Sequence, residues 1–235
     1  MPVDRRIERH VRKLERKSAR TTRKEPLSVE RIVETALDIV AAEGFEALTM
    51  RRVAAALDTG PASLYAHVVN KADLDELLIG YLCSQITVPE PDPATWRAQI
   101  IDLAGQIRDQ YLRYPGISQA ALGVVPSNPE ALRISEGMLG ILLAGGVQPQ
   151  TAAWAIDALS LYVNAYCLEI GLWVRRMSQD GGWAATHDTL MRRFESLPAD
   201  EFPLTKRYAA ELTAGEGHDR FDFAMTTMID GLGGH

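Results

Sequence analysis

Between Pro61 and Lys71 the sequence places side chains suited to holding a polyanion. Tyr65 and His67 carry a phenol and an imidazole that donate hydrogen bonds to phosphate oxygens, and the small residues around Pro61, Ala62 and Ser63 let a backbone approach base edges. Lys71 adds a cation at the mouth of a following helix, where free N–H groups point at an anion. This chemistry requires a short element that turns Leu64 and Val68 inward and these side chains outward. The same spacing also suits ordinary packing of two short helices, so the segment by itself leaves both readings open.

The neighbouring residues supply the positioning elements. Ser28 is a helix N-cap, Ile32, Ala36, Ile39 and Val40 form one apolar face, and Gly44 is a stop. Phe45 and Leu48 return to the core. Thr49 then caps a short helix, Met50 to Leu57, with Val53, Ala54 and Leu57 inward. Asp58-Thr59-Gly60 forms the turn, and Pro61 starts a third helix expected to run through His67, because a first helical position needs no N–H donor. A fourth helix begins at Lys71. Short helix, three-residue turn and short helix, locked by Val53, Leu57, Leu64 and Val68, have the organisation of a helix-turn-helix.

Charge separates the chain into unlike parts. The whole carries −6, yet the first 25 residues hold ten Lys/Arg against four Asp/Glu, whereas residues 26–84 hold four against nine. A polyanion is drawn to the N-terminal end and repelled by the rest. Such a tail is either a solvated segment or a DNA-binding arm, and charge alone fits both. Ile7, Val11 and Leu14 suggest a short amphipathic helix over 4–18, followed by an extended stretch to Pro26.

The expected organisation is a basic arm over 1–26, a helix-turn-helix domain over 27–75 and a larger helical domain over 76–235. The fourth helix runs from one domain into the other, up to Pro89, Pro91 and Pro93. Beyond them, helical spacing recurs over 94–114, 129–144, 149–177, 186–196, 204–214 and 219–231, with no sustained period of two, so the fold class is all-α. Cys83 and Cys167 stand far apart with no CxxC pattern, and His187, His218 and His235 lack ligand spacing and read as solvated, so neither a disulfide scaffold, a metal site nor a cofactor is expected. The opening residues carry no apolar leader, and the apolar stretch Ala152–Trp173 is broken by Asp157, Asn164 and Glu169, so a cytoplasmic chain without a membrane span is expected.

The runs Leu27–Leu37 and Glu43–Ala54, and above all Ser63-Leu64-Tyr65-Ala66-His67-Val68-Val69-Asn70-Lys71-Ala72-Asp73-Leu74, resemble the N-terminal domain of the TetR family, most like the branch containing the tetracycline repressors themselves. Phe221–Leu232 is similar to that branch's last helix. The resemblance implies a homodimeric, ligand-responsive repressor whose two N-terminal domains read a palindromic double-stranded DNA operator. Carried over by position, it implies that Thr49 and Tyr65 hold phosphates, Arg51 reaches a base edge, Ser63 contacts base or backbone, and His67 and Lys71 grip phosphate. Asp58 departs from the glycine usual at its position and adds negative charge near DNA, and Pro61-Ala62 offers few side-chain donors, which directs attention to apolar contacts and to Arg20, Arg23 and Lys24 in the arm.

The resemblance also assigns the helix over 149–177 and the last helix, over 219–231, to a dimer interface, with Phe221, Ala224, Met228, Ile229 and Leu232 as the stripe of the latter. Asp157, Ser160, Asn164 and Cys167 form a polar track along the first of these helices at three- and four-residue steps. Its partners are either water and neighbouring side chains or a small-molecule effector walled by Trp96, Tyr111, Trp154 and Trp173. An α-helical enzyme using the central cavity, or an activator of the same architecture, are the alternatives. No nucleophile–base pair or carboxylate dyad is apparent in the sequence to set up the enzyme.

Overall fold

The computed structural model describes residues 26–123, 128–180 and 183–233, and every regular element among them is a helix. The arm with Arg20, Arg23 and Lys24, the short helix expected over 4–18, and His235 lie outside the described residues.

Helix α1 (Val29–Glu43) starts at Ser28, whose hydroxyl accepts from the Arg31 N–H at 3.3 Å, and ends at Gly44 with φ 85°. A side chain strains that positive φ, so glycine is what lets the chain leave α1 and double back through a 3-10 turn (Phe45–Ala47). Helix α2 (Met50–Ala56) is capped by Thr49, whose Oγ1 accepts from the Arg52 N–H at 3.1 Å. Asp58 takes φ 49° in the turn, a left-handed value that aspartate tolerates, and Pro61 opens α3.

Helix α3 spans only Pro61–Leu64, shorter than the expected run to His67. The Tyr65 N–H still reaches the Pro61 carbonyl at 3.3 Å, but the His67 N–H bonds to Leu64 at 2.8 Å, and the backbone tightens into a turn. The physical reason is the core: Leu64 and Val68 are both fully buried, and the chain must bend to bring them together.

Helix α4 (Lys71–Ser84) packs on α1 at one end. Further along it lies against α6 (Ser118–Gly123) and α7 (Pro129–Ala144), so it is the element shared by the reading head and the body. The body is built from α5 (Trp96–Leu112) and α8 (Pro149–Asp180), which pack on each other and on α7. Helix α6 is an element that the sequence pattern does not announce; buried Ile117 and Ala120 hold this short turn against α8. Helix α9 (Trp183–Glu195) packs on α10 (Pro203–Arg207) and α11 (Ala209–Thr213), the expected helix over 204–214 being split at Tyr208, with φ −107° and ψ 27°.

Helix α12 (Asp219–Asp230) leads into a final 3-10 turn (Gly231–Gly233) and lies on α5 and α8. Part of the expected interface stripe, Phe221 and Ile229, turns into the chain's own core, while Ala224, Met228 and Leu232 stay partly exposed. Phe221, Met225 and Ile229 are buried in the chain's own core, Met228 and Leu232 pack partly against it, and Phe223 is the large apolar side chain left outside, 73% exposed.

Helix α8 presents different faces to different surroundings. Leu159, Val163, Tyr166 and Cys167 enter the core. Ser160 and Asn164 turn to one side, toward α4 and α7, and Glu169 and Trp173 turn to another, toward α9 and the loop before α12. Trp154, Ala158, Leu161, Ala165, Leu168 and Leu172 follow one another in alternating steps of four and three, and Trp154, Leu161 and Leu172 are 70%, 52% and 41% exposed. That spacing keeps one stripe on one side of a helix, in the manner of a seam between helices. Pro149–Val174 is long and apolar enough to cross a membrane by length and composition, and 33% of its most apolar window is buried within the chain.

Candidate nucleic-acid interface and central cavity

The turn-and-helix unit separates the inward from the outward residues as the sequence implies. Val53, Leu57, Leu64 and Val68 are buried, and Thr49, Arg51, Pro61, Ala62, Ser63, Tyr65 and His67 are exposed on the same unit. Tyr65 is 53% exposed, so its phenol is available to a partner. The structure also distinguishes two adjacent arginines. Arg52 is held by Glu43, with Nη2 2.5 Å from Oε1, and that hydrogen bond keeps the Glu43 carboxyl below its ordinary pKa. Arg51 makes no ion pair among the described residues and projects from the first turn of α2. Val69, 74% exposed, adds an isopropyl group to this corner, a feature that sequence reasoning passed over.

Lys71 departs from its expected role. Its ammonium pairs with Asp75 one turn along α4 and lies 4.2 Å from the centroid of the Phe45 ring. Burial raises the Asp75 pKa, and the Lys71 hydrogen bond opposes that shift. The N-terminus of α4 is also occupied by its own chain: Asn70 Oδ1 accepts from the Asp73 N–H at 3.0 Å, and Asp73 Oδ2 accepts from the Val69 N–H at 2.7 Å. The seat that the sequence offered to a phosphate therefore already holds a carboxylate. Lys71 joins the reading head internally, and the exposed donors are Thr49, Arg51, Ser63, Tyr65 and His67.

A second joint ties this head to the body. The Phe45 N–H donates to the Pro115 carbonyl at 2.9 Å, in the loop between α5 and α6. Gly116, next in that loop, has φ 86° and leaves so little room that a Cβ there would stand 3.2 Å from the Phe45 Cβ. Phe45 is thus held between Lys71 on α4 and a loop that rests on α8.

Helices α4, α5, α6, α7 and α8 line a partly open cavity of about 150 Å³. Ile79, Ile107, Ile134, Met138 and Val163 give it an apolar wall, and Glu76, Tyr111, Asn128, Ser135, Ser160 and Asn164 bring polar groups to it. Tyr111 is buried, and burial pushes its phenol well above the ordinary pKa. Asn128 caps α7 by accepting from the Glu130 N–H at 2.9 Å; a Cβ on Gly80 would stand 2.2 Å from its Nδ2, so glycine on α4 is what allows this close approach.

Of the effector residues expected from sequence, Tyr111, Ser160 and Asn164 meet at this cavity. Cys167 lies buried on the same side of α8 with Sγ 3.8 Å from the Arg108 carbonyl, and burial raises its pKa to about 12. Asp157 is exposed. The three tryptophans are placed elsewhere. Trp96 is buried beneath the end of α7, where a Cβ on Gly145 would fall 2.4 Å from its ring. Trp154 is on the exposed stripe, and Trp173 lines a separate cavity of about 190 Å³ with Tyr166, His187 and Arg220. An aromatic type therefore does not locate a cavity wall, because a large ring fills whichever gap its helix phase meets. Glu76, Asn128 and Ser135 were missed because the wall gathers residues from helices distant in sequence. His218, expected as a solvated ring, instead meets the Tyr166 hydroxyl through Nδ1 at 3.0 Å. No group of His, Cys, Asp and Glu able to hold a metal occurs among the described residues.

Known proteins bear on both halves. Residues 32–76 match the family model described as bacterial regulatory proteins, tetR family, and residues 88–234 match the tetracyclin repressor-like C-terminal domain. The HTH-type transcriptional repressor DrrR1 of Streptomyces coeruleorubidus is 29% identical over 220 residues, covering 89% of this chain and 78% of the relative. The tetracycline repressor protein class D of Escherichia coli is 26% identical over 208 residues, covering 88% and 89%. Among solved structures, the Streptomyces coelicolor TetR family protein ActR in complex with actinorhodin is 36% identical, with TM-score 0.78 and coverage of 88% of this chain and 96% of that one.

Proposed function

Because the chain belongs to the tetR family of bacterial regulatory proteins, we propose that it is a homodimeric transcriptional repressor, acting in the cytoplasm, that binds a palindromic operator and is released from it by a small hydrophobic effector. One arrangement carries the reading: a helix-turn-helix with Thr49, Arg51, Ser63, Tyr65 and His67 outward is joined through α4 to a largely apolar cavity with polar groups in its wall. DrrR1 is named a repressor, and ActR is known with actinorhodin bound, which supports both halves of the proposal.

The exposed stripe supports the dimer. Trp154, Leu161 and Leu172 on α8, with Phe223 on α12, present apolar surface that a second copy would cover. Two heads related by that axis read half-sites about 34–36 Å apart. Because α4 touches both head and cavity, an effector that prefers another spacing of the heads weakens DNA binding, and DNA weakens effector binding by the same factor.

The test combines fluorescence anisotropy on the DNA upstream of the chain's own gene with sedimentation equilibrium. The wild type is expected to bind as a dimer, and Tyr65→Ala with His67→Ala to lose operator affinity while remaining dimeric. Leu161→Asp is expected to lose both dimer and operator binding. A strictly monomeric wild type, or full affinity in the double variant, rejects the proposal.

A further inference from the structure

The wall of the central cavity contains a buried side chain whose polar group has no partner. Tyr111 on α5 is 6% exposed, and its phenol makes no hydrogen bond to a described residue. Nor is that hydroxyl sealed in by packing: among the described residues, the side-chain oxygen that is both sealed and unpartnered is Ser118 Oγ, so the Tyr111 oxygen opens onto the cavity that its residue lines. Burial pushes the phenol well above its ordinary pKa, which keeps it a neutral O–H. Other polar groups in the wall are engaged. Ser135 Oγ donates to the Ala131 carbonyl at 3.2 Å, Asn128 Oδ1 caps α7, and Glu76 already interacts within the chain. No described lysine, arginine or histidine lines the cavity.

A buried hydroxyl needs a partner, and three kinds of ligand meet this one differently. A pure hydrocarbon displaces water from the phenol and leaves it unpaired, at the cost of a lost hydrogen bond. An anion sheds its own water and finds no lining cation to replace it. A neutral carbonyl oxygen accepts the hydrogen bond and brings no charge. A phenol donates better than it accepts, because its oxygen lone pair is drawn into the ring, so an acceptor suits it better than a second donor does. The apolar wall of Ile79, Ile107, Ile134, Met138 and Val163 takes the body of the ligand, and a volume of about 150 Å³ is on the scale of a single aromatic ring.

Resting on the reading of this cavity as the effector site, we infer that the pocket selects a neutral carbonyl compound, a ketone, quinone or amide on an apolar body, with the Tyr111 hydroxyl as the donor that recognises it. Tyr111 is in the last turn of α5, just before Pro115, so the recognised oxygen is held beside the loop whose carbonyl accepts the Phe45 N–H.

Three probes of one size test this with the full chain: acetophenone, ethylbenzene and benzoate, which carry a neutral acceptor, no acceptor and an anion on the same ring. Calorimetric titration backed by ligand-observed NMR is expected to rank acetophenone above ethylbenzene by about fivefold or more, with benzoate weakest. Tyr111→Phe removes the hydroxyl and little else. It is expected to lower the affinity ratio of acetophenone to ethylbenzene by about tenfold, while ethylbenzene binding, which reports an intact cavity, persists. No preference for the ketone in the wild type, a ratio unchanged in Tyr111→Phe, or benzoate that binds as tightly as acetophenone overturns the inference. Methyl NMR separates this from failure of the underlying reading. Shifts at Ile107 and Met138 on adding acetophenone support the cavity as the site; binding that leaves those methyls unmoved, or binding of none of the three probes to the wild type, removes the cavity reading itself.

Discussion

Gly171→Ala tests whether α8 and the reading head are mechanically joined. A Cβ on Gly171 would stand 3.0 Å from the Gly116 nitrogen and 3.7 Å from both the Gly116 Cα and the Pro115 carbonyl carbon. Comfortable heavy-atom contact begins at about 3.5 Å, so the loop must yield by about 0.5 Å. It has little freedom to do so, because Gly116 has φ 86° and Pro115 accepts the Phe45 N–H at 2.9 Å on its far side. Overpacking of this kind costs about 1–3 kcal/mol, and replacing a helical glycine by alanine returns about 1 kcal/mol. The net is a loss of about 0–2 kcal/mol, or a Tm lowered by up to about 8 °C for a chain of this size. Gly105→Ala on α5 is the control: the nearest neighbour of its Cβ is the Arg108 Nη2 at 3.8 Å, an ordinary contact, so the helix gain stands unopposed. That variant should be stabilised by about 1 kcal/mol, raising Tm by about 2–4 °C. The displaced loop pushes on Phe45, so Gly171→Ala should also weaken operator binding by about fivefold or more, and Gly105→Ala should leave it unchanged. Calorimetry and operator anisotropy on the two variants decide the matter. If Gly171→Ala stabilises as much as its control, or keeps full operator affinity, the route from α8 through the loop to Phe45 carries nothing.

Three other expectations are independent of that joint. Asp58→Gly relieves a left-handed backbone and removes a negative charge beside the reading face, so operator affinity should rise severalfold while stability changes by less than about 1 kcal/mol; weaker binding would contradict the placement of the turn near DNA. Burial raises the pKa of Cys83 to about 11 and of Cys167 to about 12 from the ordinary 9.0, so both thiols stay protonated at pH 8 and should resist a thiol reagent until the chain unfolds; their contribution to stability is complete below about pH 9 and declines as pH rises toward 11 and 12. Rapid labelling of the native chain at pH 8 would refute this. Truncation before Glu25 removes ten basic and three acidic residues, so operator binding should weaken and the slope of log affinity against log salt should flatten; an unchanged slope would mean that the arm stays off the DNA.

Local signals were legible without coordinates. Ser28, Thr49 and Pro61 each open the helix they were expected to open, because a cap or a missing N–H acts within one turn and needs no distant partner. Asp58 in a positive-φ turn and the outward set at Tyr65 and His67 follow from the same short-range geometry. Tertiary packing decided the rest. Whether Lys71 points to solvent or across Phe45 to Asp75 depends on the 3-10 turn after α1, a different element. Which aromatics wall a cavity depends on how α4, α5, α7 and α8 are rotated about their axes, and that rotation placed Tyr111 at the cavity, buried Trp96 under Gly145 and left Trp154 outside. Helical period assigns residues to faces, but which face meets which neighbour is set only when several helices bury their apolar surface together.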